Sequence, residues 1–470
     1  MIKNLSLGSI QLLVAFALCP IILADSAPKT EKGPGAENAE GTVIVVKPAG
    51  TTSTSTPAST EPKLPEFSKF APGATPLCGL LNFYQKKENL YAEFTSSHLN
   101  TDFIIIISIA KGIGEAPLLG GWSWDFGDDM IWQFRKAGDR IQIVRRNFRY
   151  QANPGTPEAK ALAIGFSDSI LYSLPIIAKG PQGGDVVDLT SIFMSDLPMI
   201  SSKALPGFYF ARDRSTWAKL KPLKDNMEIQ VAATYSGGGR GHLETVMDTR
   251  GVSINIHYSI SKLPSSGYQP RLADERVGYF NTVIKNLSRN AEDNNFIRYI
   301  NRWNLQKLES SAEQSLPRKP IVFWLEKSIP FHYRKPIRDG ILEWNKAFEA
   351  AGYYNAIEVR QQEDNDTWDP EDINYNTVRW SAANAGFAIG PSRINPLTGE
   401  ILDADILLDV GFIESWNRAF ELQTPEDLTQ KFLVSPVFAR MFEQKDDSAL
   451  RESTTLPTSI DEALFYSQQV

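Results

Sequence analysis

The chain is poor in the side chains that bind transition metals or form disulfides. It has 4 histidines and 2 cysteines in 470 residues. Cys19 lies in an apolar N-terminal run, so removal of that run would leave Cys78 alone and no disulfide within the remaining chain. Stability must therefore come from side-chain packing and hydrogen bonding.

The chain also lacks an excess of positive charge. Its 48 Lys and Arg face 55 Asp and Glu, a net charge of −7. A protein that binds a polyanion needs clustered positive charge to displace counterions. We therefore expect no nucleic-acid partner. The hydrophobic content of 42% and the length are those of a globular protein with more than one core.

Long apolar runs are absent beyond the N-terminus. Residues 10–24 are apolar, follow Lys3 and are interrupted by Pro20, a pattern typical of a secretory signal. The run is shorter than the roughly 20 residues of a spanning helix, although a membrane anchor is the alternative interpretation. We predict that residues 1–24 are a cleaved signal peptide and that the protein is secreted or periplasmic, with no stable membrane insertion after signal cleavage.

Residues 25–65 contain few side chains that can form a core. The segment is rich in Gly, Pro, Ser, Thr and Ala, a composition that cannot bury enough apolar surface to fold. We predict a disordered linker.

The next 250 residues show the pattern of β-strands. Residues 130–135 and 140–146 alternate apolar and polar side chains around a Gly-Asp turn, which predicts a hairpin. Residues 252–260 alternate in the same way, and this places His257 on the face that points away from the core. We predict a small β domain at 66–125 and a β-rich domain at 126–315.

The pattern changes near residue 318. Strand 321–326 precedes a helix at about 334–351, and further strands are predicted at 356–361, 375–380 and 400–408. A strand, helix, strand sequence predicts a right-handed crossover between neighbouring parallel strands. We expect Ile337, Ile341, Trp344 and Phe348 to form the buried stripe of the helix, and Gly352 to end it.

Four runs in this part carry a family resemblance: PIVFWLEKSIP, HYRKPIRDGILEWNKAFEAAGYYNAIEV, DPEDINYNTVRW and INPLTGEILDADILLD. They resemble the start of the catalytic domain of bacterial secreted zinc-dependent metalloproteases of the metzincin-like type, and DERVGYFN (274–281) is similar to the preceding domains of unknown function. The resemblance implies an α+β fold, with β-rich N-terminal domains followed by the mixed-sheet front half of a metzincin-like peptidase domain at 318–470.

The chain contains no zinc-binding motif of that family. H-E-x-x-H places two histidines one helical turn apart and a glutamate beside the zinc-bound water. None of the four histidines opens such a motif: His98, His242, His257 and His332. We therefore predict no catalytic residue, no metal ligand and no cofactor in this chain, although zinc is expected for the full-length family, in which the motif lies farther along.

One strand is a candidate for substrate binding through the resemblance. In metzincin-like folds an equivalent edge strand pairs with extended substrate, which would assign backbone contacts with a peptide or protein to Leu402, Asp403, Ala404, Asp405 and Ile406. The alternative, which we favour for the side chains, is an edge whose solvated acids prevent aggregation.

Two further segments have alternative interpretations. The acidic run 363–372 has carboxylates for calcium but not the spacing of a calcium loop, so we expect a solvated loop. The glycine-rich segment 236–241 precedes no helix, so we expect a flexible hairpin connection and not a phosphate site.

Three functions are compatible with these patterns. The first is the N-terminal part of an exported zinc-dependent metallopeptidase, inactive as this chain. The alternative is a secreted non-catalytic peptide- or glycan-binding module on a degenerate protease scaffold. A hydrolase that uses paired carboxylates, such as Asp403 and Asp405, is the third hypothesis, but no sequence sign separates their pKa values.

Overall fold

The computed structural model of the protein describes residues 67–124, 130–237, 243–289 and 295–423. The predicted signal peptide and linker lie outside the described residues, as do residues 424–470 of the predicted partial peptidase domain. The described residues belong to one compact unit, 62–470. Within them, no helix is long and apolar enough to cross a membrane.

The described chain before residue 310 is built mainly from strands. They are β1 (Thr75–Cys78), β2 (Asn82–Lys86), β3 (Asn89–Phe94), β4 (Asp102–Lys111), β5 (Trp122–Ser123), β6 (Met130–Ala137), β7 (Arg140–Arg145), β8 (Tyr150–Gln151), β9 (Ser169–Pro175), β10 (Ala178–Lys179), β11 (Asp185–Asp188), β12 (Phe208–Phe210), β13 (Thr216–Pro222), β14 (Asn226–Gly237), β15 (Val252–Lys262), β16 (Asn281–Asn286), β17 (Phe296–Ile300) and β18 (Arg302–Trp303). The helices are α1 (Phe67–Phe70), α2 (Pro157–Gly165), α3 (Thr190–Phe193) and α4 (Ile200–Lys203), with a 3-10 turn at Arg212–Arg214.

Besides a three-stranded sheet with the order β17-β16-β8, two antiparallel sheets form most of this β-rich region. The larger has the order β12-β14-β15-β4-β6-β7-β9, with β13 also paired to β14 and β5 to β4; the smaller has the order β1-β2-β3-β11-β10. One continuous cluster of buried apolar side chains, here called the main core, draws from both sheets. Phe103, Ile109 and Val231 of this core are fully buried.

The boundary predicted at residue 125 does not divide two cores. β4 lies before it and β6 after it, yet they are neighbours in the larger sheet, and β3 pairs with β11 in the smaller one. Because strands from both sides of residue 125 share both sheets and the main core, the segments 66–125 and 126–315 do not form separate domains.

The central strand β4 is buried on both faces. Ile105 and Ile107 point into the main core. Ile104 and Ile106 point the other way, where Ile373 packs against them from the C-terminal part of the chain. When both faces of a strand are covered, both sets of alternating side chains are apolar. This explains the uninterrupted apolar run of β4.

The C-terminal region, residues 318–423, contains a four-stranded sheet of its own. Its elements are β19 (Ile321–Leu325), α5 (Phe331–Ala350), β20 (Ile357–Gln361), β21 (Asn376–Ser381), β22 (Ser392–Ile394), β23 (Glu400–Ala404), β24 (Ile406–Asp409) and α6 (Val410–Gln423). The order is β20-β19-β21-β24 with parallel pairing throughout. Ile389 adds an antiparallel bridge to Leu407 beside β24. The predicted strand, helix, strand unit is thus present.

Helix α5 differs from its prediction in its first residue and in one side chain of the predicted buried stripe. It begins three residues earlier than predicted, and Gly352, with φ of +89°, follows its end as expected. Ile337 is buried, but Trp344 is 47% exposed, which corrects the predicted stripe. The sheet-facing position is held instead by Asn345, whose side chain donates to the Ile357 carbonyl and accepts from the Ile357 N–H.

One predicted strand is divided into two. The prediction at 400–408 gives β23 and β24, separated at Asp405, because β23 pairs with β18 and β22 while β24 pairs with β21. The chain as a whole is β-rich and of the α+β class, which confirms the predicted fold class in its coarse form.

Candidate functional site

The predicted substrate strand lies between other parts of the protein. Leu402 packs beside Ile104, Ile106 and Ile131 of the larger sheet. Asp403 is 1% exposed, so the interpretation of a solvated acidic edge is wrong for its side chain. Asp403 is covered because the C-terminal region packs, beside Leu402, on the face of the larger sheet that is opposite the main core.

The backbone of the same strand is bonded within the chain. Asp403 and Ala404 are paired with β22, and the Asp405 N–H donates to the Pro391 carbonyl at 3.2 Å. Ile406 is paired with β21. Peptide pairing by residues 402–406 stays a prediction, and it requires an exchange of these internal bonds for substrate bonds.

Asp403 and Asp405 form a buried acid pair. Thr377 donates to Asp405 Oδ1 from its hydroxyl at 2.5 Å, while Asp403 Oδ1 has no hydrogen-bond partner among the described residues. Burial raises the pKa of Asp405 to about 6, against the opposing effects of Thr377 and Arg379. Burial and the neighbouring Asp405 raise the pKa of Asp403 well above its ordinary value. Both side chains are inaccessible to a substrate in this structure.

A charged cluster joins the larger sheet to the C-terminal region. Its first part is centred on Glu228 of β14, which lies 2.5 Å from His257 Nε2 and accepts from the Ser259 hydroxyl at 2.8 Å. Asn226 Nδ2 donates to Glu228 Oε1 at 2.6 Å and to Asp372 Oδ1 at 2.7 Å. The bond to Asp372 connects β14 directly to the loop that follows β20.

His257 lies on the face of β15 opposite the main core, as predicted, and its side chain is nevertheless only 1% exposed. The loop that carries Asp369, Glu371 and Asp372 covers this face, and the charges of the first two act on the imidazole. Alternation along a strand identifies its two faces but not what covers each of them.

The pKa values of the central pair are both raised. Burial raises the pKa of Glu228 to about 7, against the opposing effect of His257. Burial alone would lower the pKa of His257, but the hydrogen bond and charge of Glu228 outweigh it and raise that pKa. The pKa of Glu228 therefore lies near neutral pH.

The second part of the cluster consists of ion pairs. Asp369 contacts Lys219 and lies 2.7 Å from the Lys221 ammonium, both on β13. Glu371 lies 2.8 Å from Arg379, and both are almost completely buried. Burial alone would raise the pKa values of Asp369 and Glu371, but the cations outweigh it and lower both. We call these residues and those of the first part the charged junction.

The prediction of a solvated loop at 363–372 is therefore wrong for its second half. Glu363 and Asp364 are exposed as expected. Asp369, Glu371 and Asp372 are 6%, 5% and 3% exposed, because their partners lie on β13, β14 and β21. Alternating exposed and buried acids in a short loop give no local pattern that would reveal such long-range pairing.

A cleft of about 780 Å³ opens beside the charged junction. Its walls come from the end of β15, the chain around β18, the start of β19, the start of β21 and β23. The lining includes aromatic and cationic side chains: Trp303, Trp324, Tyr375, Lys262, Arg318 and Lys319. Neither Asp403 nor Asp405 lines it, although Leu402 does. Sequence reasoning did not identify this cleft, since its lining residues are dispersed over 180 positions.

The described residues do not fit a zinc ion. Among them, no group of three or more His, Cys, Asp or Glu side chains is placed to hold a metal. His98 Nδ1 lies 3.2 Å from the Thr95 N–H, His257 is bound to Glu228, and His332 is exposed at the start of α5. His242 and the glycine-rich turn before it lie outside the described residues.

One family matches part of the chain. Residues 125–308 match the family described as a domain of unknown function (DUF5117). The matched segment contains β6 to β18, which include strands of both the larger and the smaller sheet, and it ends before β19. No curated protein and no solved structure matches the chain.

Proposed function

We propose that this chain is the N-terminal part of an exported zinc-dependent metallopeptidase and that the 470 residues alone do not hydrolyse peptide bonds. In this proposal the β-rich region precedes the peptidase domain, and the C-terminal region forms its front half. Zinc and its ligands belong to the full-length protein.

The observation that carries the proposal is the sheet of the C-terminal region. β19, α5 and β20 form a parallel crossover, β21 and β24 extend the sheet, and Ile389 bridges to it in the antiparallel sense. This mixed sheet is what the resemblance implies for the front of the peptidase domain. The match of residues 125–308 to a domain of unknown function supports the implied order of domains.

The test compares two proteins. The 470-residue chain, supplied with zinc, is expected to leave casein and fluorogenic peptides uncut, because it contains no H-E-x-x-H. The coding sequence after Val470 is expected to continue in frame to that motif, and the extended protein should cleave casein in a manner that chelators abolish. Replacement of the motif glutamate should remove this activity.

Two results would contradict the proposal. Chelator-sensitive cleavage by the 470-residue chain would show that it carries its own metal site. A stop codon directly after Val470, with a folded and monodisperse product, would favour the alternative of a secreted non-catalytic binding module.

A further inference from the structure

The cleft beside the charged junction presents aromatic ring faces that are held in place. Trp324 and Tyr375 line it with their ring centroids 6.0 Å apart. Trp368 stacks on Tyr375 with centroids 4.2 Å apart and an interplanar angle of 8°, and it also contacts Trp324 at 5.2 Å. Trp303 lines another wall and contacts Phe323. The rings are thus fixed by neighbouring rings and partly exposed to the cleft.

The charge of the lining is positive. Lys262, Arg318, Lys319 and Arg360 contribute cations, whereas Asp225 and Glu400 contribute the acids.

The two kinds of charge are not equally available to a ligand. Glu400 already accepts hydrogen bonds from Ser266 at 2.6 Å and from Asn304 at 2.9 Å. In the described part of the chain, the ammonium groups of Lys262 and Lys319 have no hydrogen bond or ion pair, and both side chains are exposed. Asp225 is exposed and has no such partner either, so in the described part of the chain a ligand meets two unpaired ammonium groups and one unpaired carboxylate.

The strands in the walls offer no free edge. β19 is paired with β20 on one side and β21 on the other. β23 is paired with β18 and β22. An extended peptide that binds by strand addition needs unpaired N–H and C=O groups, and these walls do not present them. Recognition in the cleft must come from side chains.

We propose that this cleft binds an acidic oligosaccharide. The apolar C–H faces of sugar rings pack on Trp303 and Tyr375, which removes apolar surface from water. The Arg360 guanidinium already lies over the Trp324 ring, 5.6 Å from its centroid, so Trp324 serves to hold Tyr375 in place. The uronate carboxylates pair with Lys262 and Lys319, in charge-assisted hydrogen bonds. The cleft volume of about 780 Å³ lies within the roughly 300–1,000 Å³ that is usual for small-ligand sites. This site does not depend on the peptidase proposal. Of the predicted substrate strand, only Leu402 lines the cleft.

The test uses trigalacturonic acid as the probe and the whole 470-residue chain. Titration calorimetry should detect binding that weakens as salt is added, because exposed charges are screened. The double variant Lys262→Gln with Lys319→Gln should bind at least roughly tenfold more weakly, since two charge-assisted contacts are lost. Both lysines are exposed, so the variant is expected to keep the wild-type melting temperature.

Matched controls separate recognition from net charge. The double variant Lys111→Gln with Lys160→Gln changes two exposed lysines outside the cleft and should retain wild-type affinity. Maltotriose, which has the rings but no carboxylates, should bind at least tenfold more weakly than the acidic probe. Either result supports carboxylate recognition in the cleft.

The proposal would be overturned by any of three outcomes. The wild-type chain could fail to bind trigalacturonic acid, the two double variants could lose affinity equally, or an acidic peptide such as pentaglutamate could bind more tightly than the sugar. The last result would assign the cleft to a polypeptide. None of them depends on whether the chain hydrolyses peptides.

Discussion

The β-rich region and the C-terminal region have different interiors. The first contains the main core, which extends over two sheets and is made of apolar side chains. The second has a small apolar cluster around Leu325, Ile337 and Val378. Its contact with the first combines apolar packing of Ile373 and Leu402 on the larger sheet with the charged junction. Apolar burial is non-directional, so an apolar core tolerates the loss of a single contact. Buried charges stabilise the protein only when every partner is present. The C-terminal region should therefore respond more sharply to single changes.

Removal of Arg379 tests this difference most strongly. The variant Arg379→Met leaves Glu371 and Glu326 without their shared cation in a buried position. We expect the C-terminal region to lose about 3–5 kcal/mol of stability, the usual cost of breaking a buried pair. Urea unfolding followed by tryptophan fluorescence would measure it.

The exposed pair of Arg360 and Glu358 serves as the control. Both side chains of this pair are about half exposed, so Arg360→Met should lower the free energy of unfolding by less than about 1 kcal/mol. Equal effects of the two arginine variants would mean that the charged junction is no more critical than the protein surface.

The Glu228 and His257 pair makes stability depend on pH. The pKa of Glu228 is about 7 in the folded protein and 4.5 ordinarily, so its contribution is complete below about pH 4.5 and is lost as the pH rises through about 7. The raised pKa of His257 acts in the same direction. Asp369 and Glu371 have lowered pKa values, so their contributions fall only in acid, below this window.

We expect the wild-type protein to lose on the order of 2 kcal/mol of stability between about pH 5 and pH 8. Glu228→Gln should reduce that slope, while Glu358→Gln, at an exposed position, should leave it unchanged. The buried Asp403 and Asp405 also have raised pKa values, so they contribute the part of the slope that remains. Thermal melting at several pH values provides the measurement. A slope in Glu228→Gln equal to that of the wild type would contradict a contribution from Glu228.

Asp369 should give the smallest effect of the charged junction. Its partners Lys219 and Lys221 are about one third exposed, so they can turn into solvent when the carboxylate is removed. We expect Asp369→Asn to cost about 1 kcal/mol, measurable by urea unfolding. A loss as large as that of Arg379→Met would contradict the view that solvent access of the partner sets the cost.

Local patterns in the sequence identified most of the regular elements. The hairpin of β6 and β7, helix α5 and the alternation of β15 follow from periodicity and turn residues, which are local properties. Gly352 correctly marked the end of α5 because a positive φ favours glycine.

Long-range packing could not be predicted in the same way. His257 and Asp372 are 115 positions apart in the sequence, and nothing near either one indicates that the loop covers the strand. A weak signal did exist: Glu228 lies on the polar face of β14, directly across from Ser259 on β15. A charged residue in the middle of a long central strand indicates a partner, although it does not say which one. The cleft lacks even such a signal.

Limited proteolysis of the wild-type chain at pH 8 tests the central claim most directly, because Glu228 and His257 stabilise the junction least there. Within residues 67–423, low amounts of a nonspecific protease should cut first beyond residue 320, in the C-terminal region, and leave a resistant fragment that contains β4, β14 and β15. Mass spectrometry would locate the cuts. Equal resistance of the two regions, or earlier cleavage inside the larger sheet, would contradict the account.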